Sequence, residues 1–140
     1  MDYRHGSHTK FSLHIHVVWI TKYRKKVLKG ELANFIRDII REECSKMKVD
    51  ILKGHVSKDH IHLLLSIPPQ VTISRLVQQL KGKSSFKALS HFPELKKVFW
   101  GRHVWARGYF VHTRGNVTDE VIKMYIENQK HDDDDFQIEG

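Results

Sequence analysis

Residues 58–67 read KDHIHLLLSI, and this segment organises the interpretation of the 140-residue chain. Apolar residues dominate it and a pair of prolines follows it, which predicts a β-strand. Alternate side chains of a strand point to opposite faces, so His60 and His62 are expected on one face and Ile61 in the core. Two imidazoles held in this way can bind one divalent metal ion if a third ligand comes from elsewhere. The alternative is that both are ordinary sheet histidines.

The composition is that of one globular domain with a basic surface. Hydrophobic residues make up 40% of the chain, and 24 Lys and Arg against 16 Asp and Glu give a net charge of +8. Such domains most often bind nucleic acid or an anionic membrane, although a merely soluble basic surface is the alternative. Four of the acids form the run Asp132–Asp135. We therefore expect a single domain over residues 1–130 and a flexible acidic tail over residues 131–140.

Several classes of protein are disfavoured by what the sequence lacks. Cys44 is the only cysteine, which excludes an internal disulfide and a Cys-rich structural zinc site. The first ten residues are polar and lack the apolar core of a signal peptide. No apolar run approaches the roughly 20 residues that span a bilayer. We expect a cytoplasmic protein that associates with the nucleoid when it binds DNA.

The order of predicted elements indicates the fold. In chain order they are a strand within residues 11–23, a helix at 31–48, strands at 49–57 and 60–67, a helix from a Thr72 or Ser74 cap to residue 89, an irregular connection at 96–102, a strand at 104–113 and a helix at 118–130. Strand-helix-strand twice over is the ferredoxin-like α+β pattern, a four-stranded antiparallel sheet with both helices on one face. The first and third strands are then central neighbours, and the C-terminal helix is expected to pack over the open face. Gly54 is interpreted as a bulge in the second strand.

The last predicted helix carries Tyr125 and Gln129, which are four residues apart and therefore share a helix face. If both side chains faced a metal ion bound by a His-x-His pair, Tyr125 would supply a nucleophile and Gln129 a neutral oxygen ligand. A protonated tyrosine (pKa about 10) is a poor nucleophile, and a nearby metal ion helps by stabilising the developing negative charge. The ion can also polarise a phosphate for in-line attack. Taken singly, Tyr125 could be a packing residue and Gln129 a surface amide.

Four segments together carry a family resemblance that covers nearly the whole chain. They are residues 18–24 (VWITKYR), 59–65 (DHIHLLL), 99–101 (FWG) and 125–129 (YIENQ). In this order and spacing they resemble the single-tyrosine HUH transposases, the TnpA type, of the smallest bacterial and archaeal insertion sequences. The resemblance implies that His60, His62 and Gln129 hold Mg²⁺ or Mn²⁺. It also implies that Tyr125 attacks a phosphodiester of single-stranded DNA, giving a 5′-phosphotyrosine and a free 3′-OH.

The same resemblance implies the partners. Members of this family are homodimers that recognise DNA hairpins near the element ends, and the tyrosine helix can be donated to the partner's site. Here such a swing would occur at the turn formed by residues 114–116. No nucleotide cofactor is implied, because transesterification preserves bond energy and the chain has no Gly-rich phosphate loop.

A second His-x-His pair leaves the ligand assignment open at this stage. His14 and His16 have the same spacing, and their strand is expected beside the strand that carries His60 and His62. We favour the latter pair because it follows the Asp-His-x-His-apolar pattern of the family. His14 or His16 would then support the site or contact DNA. Asp59 is interpreted as a turn residue or as an acid that orients a ligand.

Basic and aromatic residues provide candidate DNA contacts. The candidates for binding DNA are Lys22, Tyr23, Arg24, Arg75, Lys81, Lys83, Lys87 and Arg102. Each phosphate contact would steepen the salt dependence of binding by about one unit of slope. Trp100 and Trp105, like Tyr23, could stack on unpaired bases. The alternative places the tryptophans in the core or in a dimer interface.

Two other functions compete with a transposase. A related HUH nicking enzyme, a replication initiator or relaxase, would use the same chemistry, but the small size and the lack of a helicase or origin-binding domain argue against it. A non-catalytic nucleic-acid-binding domain of ferredoxin-like fold would use its histidines structurally. That second function predicts that metal and Tyr125 are irrelevant to activity.

Overall fold

The structure, a computed structural model, describes residues 4–6, 9–11, 13–100, 103–113, 121 and 123–127. Its elements are β1 (Arg4–Gly6), β2 (Thr9–Phe11), β3 (Leu13–Ile20), α1 (Gly30–Lys46), β4 (Asp50–Ser57), β5 (His60–Ile67), α2 (Ile73–His91), α3 (Leu95–Phe99) and β6 (Phe110–His112). The main sheet is antiparallel in the order β4-β5-β3-β6, and β1 pairs with β2 separately. The predicted ferredoxin-like α+β fold is therefore confirmed, with the two His-x-His strands at its centre.

The core lies between the sheet and the two long helices. Along β3 and β5, every second side chain enters this layer, including Val17, Trp19, Ile61 and Leu65, all fully buried. The helices α1 and α2 contribute apolar side chains to the same cluster. Each buried side chain of this size stabilises the fold by roughly 1.5–3 kcal/mol. The helix-covered face of the sheet is therefore the main source of stability.

The helix boundaries follow the sequence signals closely. In α1, Leu32, Ile36 and Ile40 recur every four residues and are buried, which is the apolar stripe expected of a surface helix. The helix begins at Gly30, whose φ of +61° is a conformation that glycine adopts without strain. The cap of α2 is Thr72 rather than Ser74, since the Thr72 hydroxyl accepts a hydrogen bond from the Arg75 backbone N–H at 3.3 Å.

The predicted strand at residues 104–113 is wrong in its first half. Only Phe110–His112 pairs with β3, and Trp105 makes an isolated bridge to Thr21. The Lys81 ammonium donates to two carbonyl oxygens of this segment, at residues 106 and 108, each at 2.8 Å. These contacts with α2 satisfy backbone groups that a strand would have paired, so they replace the predicted ladder.

Two smaller predictions also need correction. Residues 96–102 are not wholly irregular, because α3 occupies Leu95–Phe99. The bulge in β4 lies at Leu52 rather than at Gly54, since Ile51 and Lys53 face consecutive residues of β5.

Several predicted features lie outside the described residues. They are Arg102, the turn at residues 114–116, the tail at 131–140, and most of the helix at 118–130, including Gln129. Residues 121 and 123–127 are helical. In the part of the chain that the structure describes, no helix has the length and apolar character to cross a membrane.

Candidate active site

The sheet face turned away from α1 and α2, which we call the histidine face, carries the predicted site. Because Ile61 and Leu63 enter the helix-covered core, the alternation of a strand puts His60 and His62 on the opposite face. His60 lies directly opposite Ile20 of β3, and His62 lies opposite Val18. The prediction that the two histidines share one face is confirmed.

His60 is held by the residue that precedes it. Its Nδ1 lies 2.9 Å from Asp59 Oδ1, and the side chain is 20% exposed. The hydrogen bond from His60 lowers the pKa of the Asp59 carboxyl below its ordinary value of 3.8, although burial alone would raise it, and the Arg24 charge lowers it further. An ionised carboxylate only accepts hydrogen bonds, so the shared proton resides on His60 Nδ1. The lone pair of a neutral ring then lies on Nε2, where it is available to a metal ion.

The second oxygen of Asp59 faces Arg24, whose Nη2 lies 3.4 Å away. Arg24 sits in a 3₁₀ turn, Lys22–Arg24, in which Tyr23 and Arg24 have φ values of 60° and 52°. A left-handed conformation costs a residue with a side chain roughly 1–2 kcal/mol. The buried Thr21 holds this turn against Asp59, because its backbone N–H donates to the Asp59 carbonyl at 2.9 Å.

His62 is held from the neighbouring strand. Its Nε2 lies 3.2 Å from His16 Nδ1, and the two ring centroids are 5.4 Å apart. His16 faces Leu64 across the β3–β5 pair and is therefore a diagonal neighbour of His62. His14 is exposed and faces Ser66 farther along. Of the first His-x-His pair, His16 is thus the member that meets the motif.

Further histidines extend this contact across the sheet. His55 of β4 lies directly opposite His62, and His112 of β6 lies directly opposite His16. One imidazole from each of the four strands therefore lies on the histidine face in adjacent positions. Beyond the strand alternation, no sequence pattern predicts this row, because it depends on the register of three strand pairs.

Tyr125 packs onto the histidine face. The helical residue Ile126 is buried in a small cluster with Val18, Ile20 and Ala106, against which Tyr125 packs. The Tyr125 ring centroid lies 5.5 Å from that of Phe110, and the Tyr125 hydroxyl oxygen is buried. This cluster is separate from the core on the helix-covered side. Since Val18 and Ile20 are the strand partners of His62 and His60, the tyrosine and the histidine motif lie on the same face.

Two imidazoles suit a divalent ion, and His60 offers its Nε2 because Asp59 engages its Nδ1. His62 Nε2 lies 3.2 Å from His16 Nδ1, so His62 would have to leave that contact, or use Nδ1, to coordinate an ion. His60 shows the carboxylate-supported arrangement that is usual for metal-binding histidines. Over residues 13–100, 103–113 and 123–127, no three His, Cys, Asp or Glu side chains converge as a metal site. Two histidines leave positions for an amide, water or phosphate oxygen, as in catalytic rather than closed structural centres.

Some of the candidate DNA-binding side chains already interact with other groups of the protein, and others are exposed. Arg24 pairs with Asp59, Lys87 pairs with Glu42 at 3.1 Å, and Lys81 bonds to backbone carbonyls. Arg75 and Lys83 are exposed on α2. Lys22 lies over the Tyr23 ring, 5.3 Å from its centroid.

The two tryptophans fall into different environments. Trp105 is only 6% exposed, stacks edge-on against Trp19 and donates its indole N–H to Ser84 at 2.8 Å. The core interpretation is therefore confirmed for Trp105. Trp100 is 87% exposed at the end of α3 and is accessible for stacking.

Comparison with known proteins identifies similar sequences along nearly the whole chain. The family model described as "Transposase IS200 like" matches residues 9–129. The chain is 36% identical over 132 residues to the ISDra2 transposase TnpA of Deinococcus radiodurans, covering 94% of each protein. It is 37% identical over 132 residues to the transposase for insertion sequence element IS200 of Salmonella typhimurium, covering 94% of this chain and 86% of that protein.

Solved structures give the same result for the fold. A crystal structure of a candidate transposase from Deinococcus radiodurans R1 matches with a TM-score of 0.83 at 37% identity, covering 90% of this chain and 97% of that one. A REP-associated tyrosine transposase bound to a REP hairpin matches with a TM-score of 0.53 at 20% identity, covering 94% and 74%. The second likeness concerns the fold alone.

Proposed function

Because the chain belongs to the IS200-like transposase family, we propose that it cleaves and rejoins single-stranded DNA at insertion-sequence ends with Tyr125 as the nucleophile. The observation that carries this proposal is the packing of Tyr125 against the cluster that contains Val18 and Ile20. These two residues are the direct strand partners of His62 and His60. A tyrosine and a paired-histidine motif that are distant in sequence therefore share one face of the sheet.

A divalent ion, Mg²⁺ or Mn²⁺, would be held by His60, His62 and Gln129. His60 would use Nε2, since its Nδ1 is engaged by Asp59. When bound, the ion supplies positive charge that polarises the phosphate and favours the ionised tyrosine.

The reaction exchanges one phosphate ester for another. The Tyr125 hydroxyl gives up its proton, and its oxygen attacks the phosphorus of the scissile phosphodiester. The bond from phosphorus to the 3′-oxygen breaks, and that oxygen takes up a proton to become a free 3′-OH. The 5′-phosphate remains on Tyr125 until another 3′-OH attacks the same phosphorus and displaces the tyrosine. Because each step makes and breaks one ester bond, no nucleotide cofactor is required.

The partners we propose are DNA hairpins at the element ends and a second copy of this chain. The net charge of +8 supports a polyanionic partner. Exposed cations such as Arg75 and Lys83 are available to phosphates. In the homodimer, the helix carrying Tyr125 would complete the site of either its own or the partner subunit.

A covalent-adduct assay tests the nucleophile and the reaction class together. The full chain is incubated with end-labelled single-stranded DNA that carries an element-end hairpin, with Mg²⁺ or with EDTA, and resolved on a denaturing gel. We expect a metal-dependent protein–DNA adduct with the wild type and none with Tyr125→Phe. Tyr109→Phe is the matched control, because Tyr109 is partly exposed and outside the Tyr125 cluster; it should retain the adduct.

Two results would contradict this proposal. Binding of the correct element end without any adduct would favour the non-catalytic nucleic-acid-binding function. An adduct that persists in Tyr125→Phe would keep the reaction class but assign the nucleophile to another residue.

A further inference from the structure

We infer that Arg24 and Asp59 are positioning residues for His60, so that the basic turn after β3 acts on the metal site rather than on DNA phosphate. This inference rests on the metal site of the proposed function. It assigns roles to two residues that do not themselves touch the ion or the substrate.

Asp59 contacts the ring of His60 directly. Asp59 Oδ1 lies 2.9 Å from His60 Nδ1. A carboxylate in this position fixes the proton on Nδ1, restricts rotation of the ring and increases the basicity of the opposite nitrogen. His60 Nε2 is then presented in one orientation to an ion on the histidine face.

Arg24 contacts the other carboxylate oxygen of Asp59. The Nη2–Oδ2 distance is 3.4 Å, and the side chains of Arg24 and Asp59 are 28% and 13% exposed. The Arg24 guanidinium donates to this oxygen while His60 engages the other, so the orientation of the Asp59 carboxylate is fixed from both sides. Arg24 Nε is buried without a hydrogen bond among the described residues. The guanidinium is thus directed toward Asp59 with its Nε buried, whereas a side chain that binds DNA phosphate would be expected to extend into solvent.

The backbone of the turn holds Arg24 in place. Tyr23 and Arg24 both adopt left-handed conformations, and strain of this kind persists only where the surroundings enforce it. Thr21 supplies that enforcement: its hydroxyl donates to the Lys25 carbonyl at 2.8 Å, while its backbone N–H donates to the Asp59 carbonyl. The turn is therefore bonded to the residue that orients His60. Lys25, the next cation along, is exposed.

The test is the affinity of the full chain for Mn²⁺, measured without DNA from the electron paramagnetic resonance signal of the free ion. Asp59→Asn should weaken binding by about 10–100-fold, the usual cost of removing a supporting carboxylate. Arg24→Gln should weaken it in the same direction, and Arg24→Lys should restore part of the loss. Lys25→Gln removes the same charge from an exposed neighbour and should leave the affinity unchanged. Asp38→Asn is the corresponding exposed control for Asp59.

His62→Ala separates failure of this inference from failure of the proposed function. If His62→Ala loses Mn²⁺ while Arg24→Gln and Asp59→Asn bind as the wild type does, the positioning roles are overturned and the metal site stands. If His62→Ala binds as the wild type does, or the wild type binds no Mn²⁺, the proposed site and the positioning roles both fail. Far-UV circular dichroism verifies that each variant is folded. Should Asp59→Asn unfold, Arg24→Gln and Arg24→Lys decide the question.

Discussion

Strand β5 presents one face to α1 and α2 and the other to the segment that carries Tyr125. On the helix-covered face, Ile61, Leu63 and Leu65 are at most 3% exposed. On the histidine face, His60 and His62 are half-buried. One strand can thus separate the residues that stabilise the fold from the candidate site, because adjacent residues contribute to different layers. Side chains on the two faces should therefore respond differently to the same substitution.

Substitutions on the helix-covered face should lower stability the most. Leu65→Ala leaves a cavity in a fully buried layer and should lower the free energy of unfolding by about 2–5 kcal/mol. Leu64→Ala is the matched control, since Leu64 is the next residue, points to the histidine face and is only half-buried. Urea denaturation of both variants measures the difference. Equal losses would show that the two faces do not differ as described.

The helix-covered layer also contains a buried acid at its edge. Glu43 is 1% exposed, accepts a hydrogen bond from Gln79 at 3.0 Å and faces Lys46 at 3.3 Å. Glu43→Gln should lower the free energy of unfolding by about 1–2 kcal/mol at neutral pH, because a hydrogen bond to a charged acceptor is weakened. Glu42→Gln on the same helix removes an exposed carboxylate that pairs with Lys87, and it should cost about 0–1 kcal/mol.

The effect of Glu43 should also depend on pH. Burial alone would raise the pKa of its carboxyl, but the hydrogen bonds from Gln79 and Lys46, with the charges of Lys46 and Lys87, bring it below 4.5. A carboxyl whose pKa is lowered on folding stabilises the protein above its unfolded pKa and loses that contribution as the pH falls through the folded value. The difference between wild type and Glu43→Gln should therefore shrink below pH 4.5. A constant difference down to acid pH would contradict the assignment.

The smallest effect on stability is expected on the histidine face. His62→Ala removes a half-exposed ring and its contact with His16, so it should change the free energy of unfolding by about 1 kcal/mol or less. The same variant should lose the covalent adduct with DNA. Thermal unfolding and the adduct gel, run on one preparation, measure both. Retention of the adduct, or a loss of stability like that of Leu65→Ala, would contradict the claim that one face stabilises the fold while the other forms the candidate site.

The parts of the fold that depend on local pattern could be predicted from the sequence. The alternation in β5 predicted which side chains enter the core, and the spacing of Leu32, Ile36 and Ile40 predicted α1. Asp59 precedes His60 directly, so an orienting acid could also be anticipated. In each case the determining contacts lie within a few residues or within one repeating element.

The parts that were not predicted depend on contacts between distant residues. Residues 104–109 have strand-forming composition, but Lys81 and Ser84 of α2 bind their backbone and the Trp105 indole. The contact between His16 and His62 requires the register of β3 against β5. The ion pair between Arg24 and Asp59 requires left-handed conformations at Tyr23 and Arg24. The sequence has no glycine at this turn that would predict such conformations.

The central position of β3 and β5 has a consequence for local unfolding. The two strands pair over eight residues between two other strands, so the amide protons of β5 that face β3 should exchange with solvent only when the whole domain unfolds. β6 is a three-residue strand at the sheet edge, and its outer side has no strand partner within the described part of the chain. Amide exchange should therefore be slowest in the histidine motif and faster toward β6. The strand that carries His60 and His62 should keep its shape while the edge of the sheet at β6 opens and closes.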